Sequence, residues 1–524
     1  LGGDVVDFEV EGIKSSNRSA GHRFLSPAHF EVKDWEDYLR KMKEASVIVV
    51  PGERKARIAA QIAEAAAAVG GTVSNDEELL DTVTHLVEYP VAVCGSFEED
   101  FLGLPEEVLV TSMKYHQKYF TVREADGRLM PRFIAVSNMR CDDMSLIREG
   151  NERVLRARLA DARFFFEEDR KTVFADFAAQ LDKVVYQEKL GTYREKIDRV
   201  AAIARSLAEK TGAAEPEDAA RAALLSKADL VSEMVGEFPK LQGVMGRIYA
   251  GVAGEPKAVS EAIEEHYRPV ASGAALPTSK IGALVSIADK IDSICGFFSI
   301  GLTPTGGADP YALRRQGIGA LQIIRDQGFD LSLSTVIDKG LELCQVGAEA
   351  KRRDITDQIV GFLKNRINRM LTDEGYPKGI VEAATQGSVD ASTDVWKRTQ
   401  ALDKLRSQPV FDDLAGAFKR VTNIIRKADT RKLPPVDPKL FEDEAEKALF
   451  KACAAAAKRV EAGLKRQNYD GVLKEIATLK KPVDRFFDDV MVMVKVARVR
   501  NNRLALLAAV ESLFGQVADF TLIN

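Results

Sequence analysis

The spacing of hydrophobic residues changes along the chain, from short runs in the first third to long helical periods afterwards. Runs of β-branched and aromatic residues predict strands at 5–10, 47–50, 108–112, 119–123 and 133–136. The Asp126-Gly127 pair between the last two runs is typical of a hairpin turn. The first part of the chain is therefore predicted to mix strands with helices.

The segment after Gly150 has a helical period and two chemically different faces. One face is apolar and comprises Val154, Leu155, Leu159, Ala162, Phe165 and Phe166. The opposite face carries the arginines Arg153, Arg156, Arg163 and Arg170. Arg158 falls on the apolar side, where an unpaired charge is costly, so we expect a carboxylate or a ligand phosphate beside it, with a buried ion pair favoured.

Two later helical stretches repeat this division between apolar and cationic faces. The first has an apolar stripe made of Phe411, Leu414, Phe418, Val421 and Ile425. Its other side carries Lys419, Arg420, Asn423, Arg426 and Lys427. The second opens at Pro482 and arranges Lys495, Arg498, Arg500 and Arg503 around an apolar face. The first of these cationic faces exceeds what solubility requires and indicates an anionic partner.

These patterns predict a multidomain, mainly α-helical chain, because 524 residues are too many for a single core. We expect four regions along it. They are a mixed α/β module at 1–172, a helical domain at 173–330, a helical connecting region at 331–400 and an α-helical bundle at 401–524.

Composition narrows the class of function. The net charge of −5 excludes a globally basic nucleic-acid binder, so any RNA contact has to come from local patches and should be sensitive to salt. The five cysteines lack the spacing of a zinc site, which favours a reducing compartment. No apolar run is long enough to span a bilayer. The chain begins at Leu1 rather than at a methionine, and we expect an N-terminal segment to be missing.

Cations interleave with aromatic residues between Lys114 and Phe120. Lys114, His116, Gln117 and Lys118 stand beside Tyr115, Tyr119 and Phe120. Such a mixture suits a polyanion with stackable bases, and it equally suits solvated strand ends above an aromatic core. Arg314 and Arg315 follow the loop that holds Gly306 and Gly307, but the phosphate-binding GxxxxGK[ST] pattern is missing there.

Four motifs of the chain, taken in order, resemble the beta-subunit family of bacterial heterotetrameric glycyl-tRNA synthetases. They are LVEYPVAVCGSFEEDFLGLPEEVL, MKYHQKYF, FIAVSNM and GNERVLRARLADARFFFEED. The resemblance implies a tRNA-binding-like module in 1–172, an HD-like domain in 173–330 and an anticodon-binding-like domain in 401–524. It also implies that the chain binds and positions tRNA(Gly), including its anticodon. The tRNA-binding candidates are Lys114, His116, Gln117, Lys118, Arg153, Arg156, Arg163, Arg314, Arg315, Lys419, Arg420, Asn423, Arg426, Lys427, Lys495, Arg498, Arg500 and Arg503.

The same resemblance places the adenylation site on a separate alpha subunit, which would use ATP and Mg²⁺. We expect no catalytic residue and no cofactor on this chain, an α2β2 assembly in the cytoplasm, and neither DNA nor a membrane as partner. In the HD-like domain, Ser226 and Lys227 stand where the family of HD hydrolases has its His-Asp pair, and only Asp289 matches the later aspartate. A lysine cannot ligate a divalent cation at neutral pH, so we expect no metal there.

Two other functions stay open from the sequence. One is a metal-dependent phosphohydrolase or an editing domain in the HD-like region, against which the lost His-Asp pair counts. The other is a scaffold without catalytic activity whose basic faces bind RNA or the carboxylates of other proteins.

Overall fold

The computed structural model describes residues 4–408, 410–426 and 433–523. Its residues group into two compact units, one made of 1–177 with 228–253 and the other of 178–227 with 254–524. The chain therefore crosses between the units three times. Among the described residues no helix combines the length and the apolar character needed to cross a membrane.

Helices dominate both units, as the hydrophobic periods predict. In chain order they are α1 (Trp35–Glu44), α2 (Pro51–Ala67), α3 (Glu77–Leu86), α4 (Glu106–Thr111), α5 (Met144–Asp169), α6 (Phe174–Gln180), α7 (Tyr193–Thr211), α8 (Pro216–Leu225), α9 (Glu233–Glu237), α10 (Val244–Val252), α11 (Lys257–Glu265), α12 (Lys280–Ser299), α13 (Leu313–Gln327), α14 (Leu333–Leu343), α15 (Glu349–Asp373), α16 (Lys378–Thr385), α17 (Ser392–Arg406), α18 (Val410–Ile425), α19 (Glu444–Lys465), α20 (Tyr469–Ala477), α21 (Lys480–Asp489) and α22 (Ala497–Gly515).

The strands are short. They are β1 (Glu9–Val10), β2 (Ile13–Lys14), β3 (Arg18–Ala20), β4 (His29–Glu31), β5 (Thr72–Val73), β6 (Val91–Ser96), β7 (Phe120–Arg123), β8 (Leu129–Ser137), β9 (Val185–Gln187) and β10 (Gly191–Thr192). The largest sheet is antiparallel, with the order β5-β7-β8-β6, and it belongs to the first unit. Residues of α2 and α3 pack on it, with Ile58 and Val83 buried against Phe120 and Ile134.

The predicted hairpin is confirmed. β7 and β8 pair antiparallel, and Gly127 in the turn between them has a φ of +90°, a left-handed conformation that glycine adopts without strain. The Asp126 carboxylate accepts a hydrogen bond from the backbone N–H of Arg128 at 3.0 Å, which closes the turn.

Two of the predicted strands are wrong. Residues 108–112 belong to α4 and to the single π-helical turn Ser112–Gln117 that continues it. Pro105 precedes this helix and two glutamates occupy its first turn, which are helix-start signals that the short apolar run concealed. Residues 47–50 form no strand, and in the run at 5–10 only Glu9–Val10 is strand.

Helix α5 is confirmed as amphipathic, but its faces differ in part from the prediction. Leu155, Leu159, Ala162 and Phe166 are buried, whereas Val154 is 46% exposed. Arg158 does pair with a carboxylate, that of Glu237 at 3.2 Å, but the pair lies at the surface and not in the core as expected.

The second unit is built around α12, whose residues are buried over almost the whole helix. Helices α7, α8, α11, α13 and α14 pack around it. Toward the C-terminus, α18 to α22 share a second core, in which the rings of Phe418 and Phe514 stack and that of Phe520 meets both edge-on. All five residues of the predicted apolar stripe of α18 are buried, which confirms that stripe.

Candidate nucleic-acid interface

The candidate residues of the first unit lie on the π-helical turn after α4 and on the loop that leads into β7. Lys114 is largely covered and pairs with Asp76 at 2.8 Å and Glu78 at 3.2 Å. Partial burial lowers the pKa of Lys114, but the two carboxylates outweigh it and raise that pKa above its ordinary value. Its charge is therefore neutralised by protein carboxylates, which leaves it a weak candidate for an RNA phosphate.

His116 is exposed, and its ring stacks on Phe238 with the centroids 5.0 Å apart. Burial of one side lowers the pKa of His116, so this residue presents a neutral ring at neutral pH. The Tyr115 ring nearby is covered by the Lys240 ammonium at 3.5 Å. Sequence analysis missed Lys240, because it is far from Tyr115 in the chain and no local pattern marks it.

Gln117 and Lys118 line a cavity of about 500 Å³ together with Tyr119, Asn138 and Asn151. Lys118 has a φ of +59°, and its ammonium donates to the Tyr115 carbonyl at 2.8 Å. The Tyr119 hydroxyl donates to the Asn151 side-chain carbonyl at 2.7 Å, and the Asn138 side-chain carbonyl accepts from the backbone of Tyr89 at 3.0 Å. The cavity is thus polar and held by side chains from several elements.

The arginines of α5 differ in how many contacts they make with other side chains. Arg153 is exposed, and Arg156 pairs with Glu98 at 2.5 Å in an exposed ion pair. Arg163 lies over the Phe101 ring at 4.1 Å, and one of its terminal nitrogens is buried without a partner among the described residues. Arg153 is therefore the arginine of this face most available to a phosphate.

In the second unit, Arg314 supports the loop that precedes it. Its guanidinium donates to the Gly306 carbonyl at 2.7 Å, while the Asp309 carboxylate caps α13 by accepting from the backbone of Leu313 at 2.9 Å. Arg314 is thus a structural donor in this conformation. Arg315 is exposed beside it.

The cationic side of α18 is confirmed as exposed for four of its five predicted residues. Lys419, Arg420, Asn423 and Arg426 are exposed while Phe418 is buried behind them. The Arg420 guanidinium lies 4.6 Å from the centre of the Phe487 ring and 3.6 Å from Asp484. The fifth, Lys427, lies outside the described residues.

In the last group of candidates, Lys495, Arg498, Arg500 and Arg503, one prediction is wrong. Arg503 is buried and donates to Glu446 at 2.9 Å, to Glu442 at 2.9 Å and to the Met491 carbonyl at 3.0 Å. It is therefore a structural residue and not an RNA contact, and the physical reason is that Glu446 is fully buried and requires a cation. Lys495 and Arg498 are exposed and Arg500 is half-buried.

The region assigned to an HD-like domain contains a buried charge cluster made of Lys196, Arg199, Lys227, Asp289 and Asp292. Lys196 contacts Asp289 and Asp292 at 3.0 Å each, and Lys227 lies 3.4 Å from Asp289. Burial raises the pKa of Asp289, but the surrounding lysines overcome it and hold that pKa far below its ordinary value. Ammonium groups thus surround the aspartate, and within the described residues no group of three or more His, Cys, Asp or Glu side chains is arranged to hold a metal.

The exposed cations of α18 and α22 lie within a recognised RNA-binding domain type. A family model described as "DALR anticodon binding domain" matches residues 414–521, which confirms the predicted C-terminal domain of this kind. An anticodon-binding domain of this kind is typical of the aminoacyl-tRNA synthetase class.

A second family model, "Glycyl-tRNA synthetase beta subunit", matches residues 1–386. Among similar proteins, the glycine--tRNA ligase beta subunit of Desulfatibacillum aliphaticivorans is 44% identical over 530 residues, which cover 100% of this chain and 76% of the relative. That of Trichlorobacter lovleyi is 47% identical over 518 residues, which cover 99% of this chain and 75% of the relative. The chain belongs to the glycyl-tRNA synthetase beta-subunit family, as its motifs indicate.

Proposed function

We propose that this chain is the tRNA-binding subunit of a glycine--tRNA ligase and that it positions tRNA(Gly), including its anticodon, for ATP-dependent glycylation. The observation that carries the proposal is the exposed cationic face of α18, which lies inside the region matched by the anticodon-binding model. Phosphate contacts from such a face fix the position of an RNA, and contacts to its bases supply identity.

The active site that forms glycyl adenylate is proposed to lie on an alpha subunit, which would hold ATP and Mg²⁺. The beta-subunit designation of the relatives supports a partner of this kind. We propose an α2β2 assembly that acts in the cytoplasm, where tRNA is charged.

We propose that the domain around α12 is an HD-like scaffold without hydrolase activity. The lysine at position 227 supports this, since an ammonium group beside Asp289 repels a divalent cation from the one aspartate that the HD pattern retains. The alternative phosphohydrolase function has no supporting contact in this cluster among the residues described.

The proposed function is tested by measuring the affinity of the chain, alone and with its alpha subunit, for tRNA(Gly) and for the same tRNA with an exchanged anticodon. We expect tight, salt-sensitive binding that falls for the exchanged anticodon. Equal and weak binding of both RNAs under both conditions would contradict the proposal and favour the scaffold function.

Variants of the α18 face connect that measurement to the structure. Arg420→Ala should weaken binding to both RNAs because it removes a phosphate contact, by about 1 kcal/mol or somewhat less than tenfold. Arg128→Ala is the matched control, since Arg128 is also an exposed arginine, and its partners are the neighbouring Glu124 and Asp126. An unchanged affinity for Arg420→Ala would exclude Arg420 as a phosphate contact.

A further inference from the structure

The proposed function rests on α18 and gives no role to the cavity beside Lys118 in the first unit. The volume of this cavity, about 500 Å³, lies within the roughly 300–1,000 Å³ of sites for small-molecule ligands. In addition to its polar side chains, it is lined by the apolar side chains of Val83, Leu86 and Val87 at the end of α3 and of Ile147 in α5. Leu86 is 61% exposed, so this apolar wall reaches the solvent. Such a cavity suits an organic ligand better than a bare ion.

The cavity carries one positive charge that no protein carboxylate neutralises. Lys118 is half-buried, and in the parts of the chain that the structure describes its ammonium donates to the Tyr115 carbonyl at 2.8 Å and contacts no carboxylate. None of the described residues that line the cavity is acidic. Lys114, four residues earlier, pairs by contrast with two carboxylates. A half-buried ammonium without a counter-ion favours a bound anion, and a single cation balances a single negative charge.

Asn138 adds a neutral hydrogen-bond donor whose orientation is fixed. Its side-chain carbonyl accepts from the backbone N–H groups of Glu88 at 2.6 Å and Tyr89 at 3.0 Å, so the amide cannot turn over without losing both bonds. The NH₂ group of Asn138 has no partner among the described residues and is left for a ligand. The Gln117 amide lines the same cavity. An ammonium group and amide N–H groups are together the donors that a carboxylate accepts from.

Lys118 is also held in a backbone conformation that a lysine rarely adopts. Its φ of +59° is left-handed, and it directly follows the π-helical turn Ser112–Gln117. A left-handed residue other than glycine costs free energy and persists only where the surrounding structure holds it. Left-handed residues of this kind and single π-helical turns are both frequent at functional sites. The backbone geometry therefore agrees with the unpaired charge in marking Lys118 as a ligand-binding residue.

We propose that this cavity binds a small organic monoanion, a carboxylic acid with an apolar body, at a site separate from the proposed function. Lys118 neutralises the carboxylate, the Asn138 amide donates to it, and the apolar body packs against Val83 and Ile147. An amino acid fits less well, because its ammonium group would be brought near Lys118 with no acidic side chain in the described lining to balance it. A phosphate monoester carries about −1.5 to −2 charge at neutral pH, which is more than one ammonium balances.

The test is a calorimetric titration of the full chain with hexanoate and with two probes of the same carbon skeleton, neutral hexanamide and zwitterionic norleucine. Hexanoate should bind saturably, and the two other probes should bind more weakly by on the order of tenfold or more. Lys118→Met should weaken hexanoate binding by a similar factor, whereas Lys118→Arg keeps the charge and should retain most of it. Lys33→Met is the matched control, since Lys33 is an exposed lysine of the same unit outside the cavity, and its affinity for hexanoate should equal that of the wild type.

A second variant guards against a change in folding. Asn138→Asp keeps the shape of the side chain and the acceptor for both backbone N–H groups, but it places a carboxylate in the cavity that competes with the ligand. It should abolish hexanoate binding, with a thermal unfolding midpoint close to that of the wild type. If hexanoate does not bind the wild type, binds it no better than norleucine, or binds Lys118→Met equally well, the proposal is overturned while the proposed function stands. If Lys118→Met lowers the affinity for tRNA and leaves that for hexanoate unchanged, the cavity contacts an RNA phosphate and the proposal is likewise overturned.

Discussion

At the scale of single residues, two arginines of α22, about one and a half turns apart, have opposite roles. The Arg498 side chain is 75% exposed, and its contact with the Asp437 carboxylate is long, at 3.9 Å. The Arg503 side chain is 6% exposed and pairs with Glu442 and Glu446 at 2.9 Å each. An exposed pair of this kind contributes little to stability, whereas loss of one partner of a buried pair leaves an uncompensated charge.

We therefore predict that Arg503→Met destabilises the C-terminal domain by about 3–5 kcal/mol, because Glu446 would remain buried without its cation. Arg498→Ala should change stability by less than about 0.5 kcal/mol and act on tRNA affinity instead. Thermal unfolding followed by circular dichroism measures the first effect and a binding titration the second. An Arg503→Met variant that unfolds at the wild-type temperature but loses tRNA binding would restore Arg503 as an RNA contact.

At the scale of elements, α5 illustrates how a helix acquires its buried face. Leu159 is fully buried, while Val154 is 46% exposed, although the helical period places both on one apolar face. Leu159→Ala should destabilise the first unit by about 2–5 kcal/mol through the cavity it leaves, and Val154→Ala should cost less than about 0.5 kcal/mol. Urea unfolding of the two variants compares them directly, and equal midpoints would show that α5 does not pack as described.

The buried charge cluster around α12 gives an element-scale prediction on pH. Because lysines hold the pKa of Asp289 below that of the unfolded chain, the ionised carboxylate stabilises the fold above the unfolded pKa of about 3.9. That contribution is lost as the pH falls below this value, so the unfolding midpoint should drop steeply between about pH 5 and pH 2. Asp289→Asn should lower the midpoint at pH 7 and flatten its acid dependence. A wild-type slope retained by this variant would place the acid-sensitive group elsewhere.

At the scale of the whole molecule, the overall charge opposes RNA binding and the local faces favour it. The net charge of the chain is −5, so binding depends on local contacts to phosphates. The logarithm of the affinity for tRNA should therefore fall linearly with the logarithm of the salt concentration, with a slope set by the number of phosphates contacted. Arg420→Ala should reduce that slope by about 1, and Arg128→Ala should leave it unchanged. An identical slope for wild type and Arg420→Ala would mean that this arginine neutralises no phosphate.

The sequence by itself determined the predominance of helices, the β7–β8 hairpin, the buried stripe of α18 and the family, because periodicity, turn residues and long ordered motifs are local properties of the chain. The hydrophobic pattern alone misassigns residues 108–112, since a short apolar run fits a strand and a helix equally until the helix-start signals before it are weighed.

Only the tertiary structure decided which cationic side chains are exposed and which are bound to buried carboxylates. Arg503 and Arg498 look alike in the sequence, and the difference arises from Glu442 and Glu446, which lie some sixty residues away and meet Arg503 only when α19 packs on α22. Packing brings together partners that are far apart in the sequence, and such partners leave no local pattern. These partners determine whether a charged side chain is structural or available to a ligand.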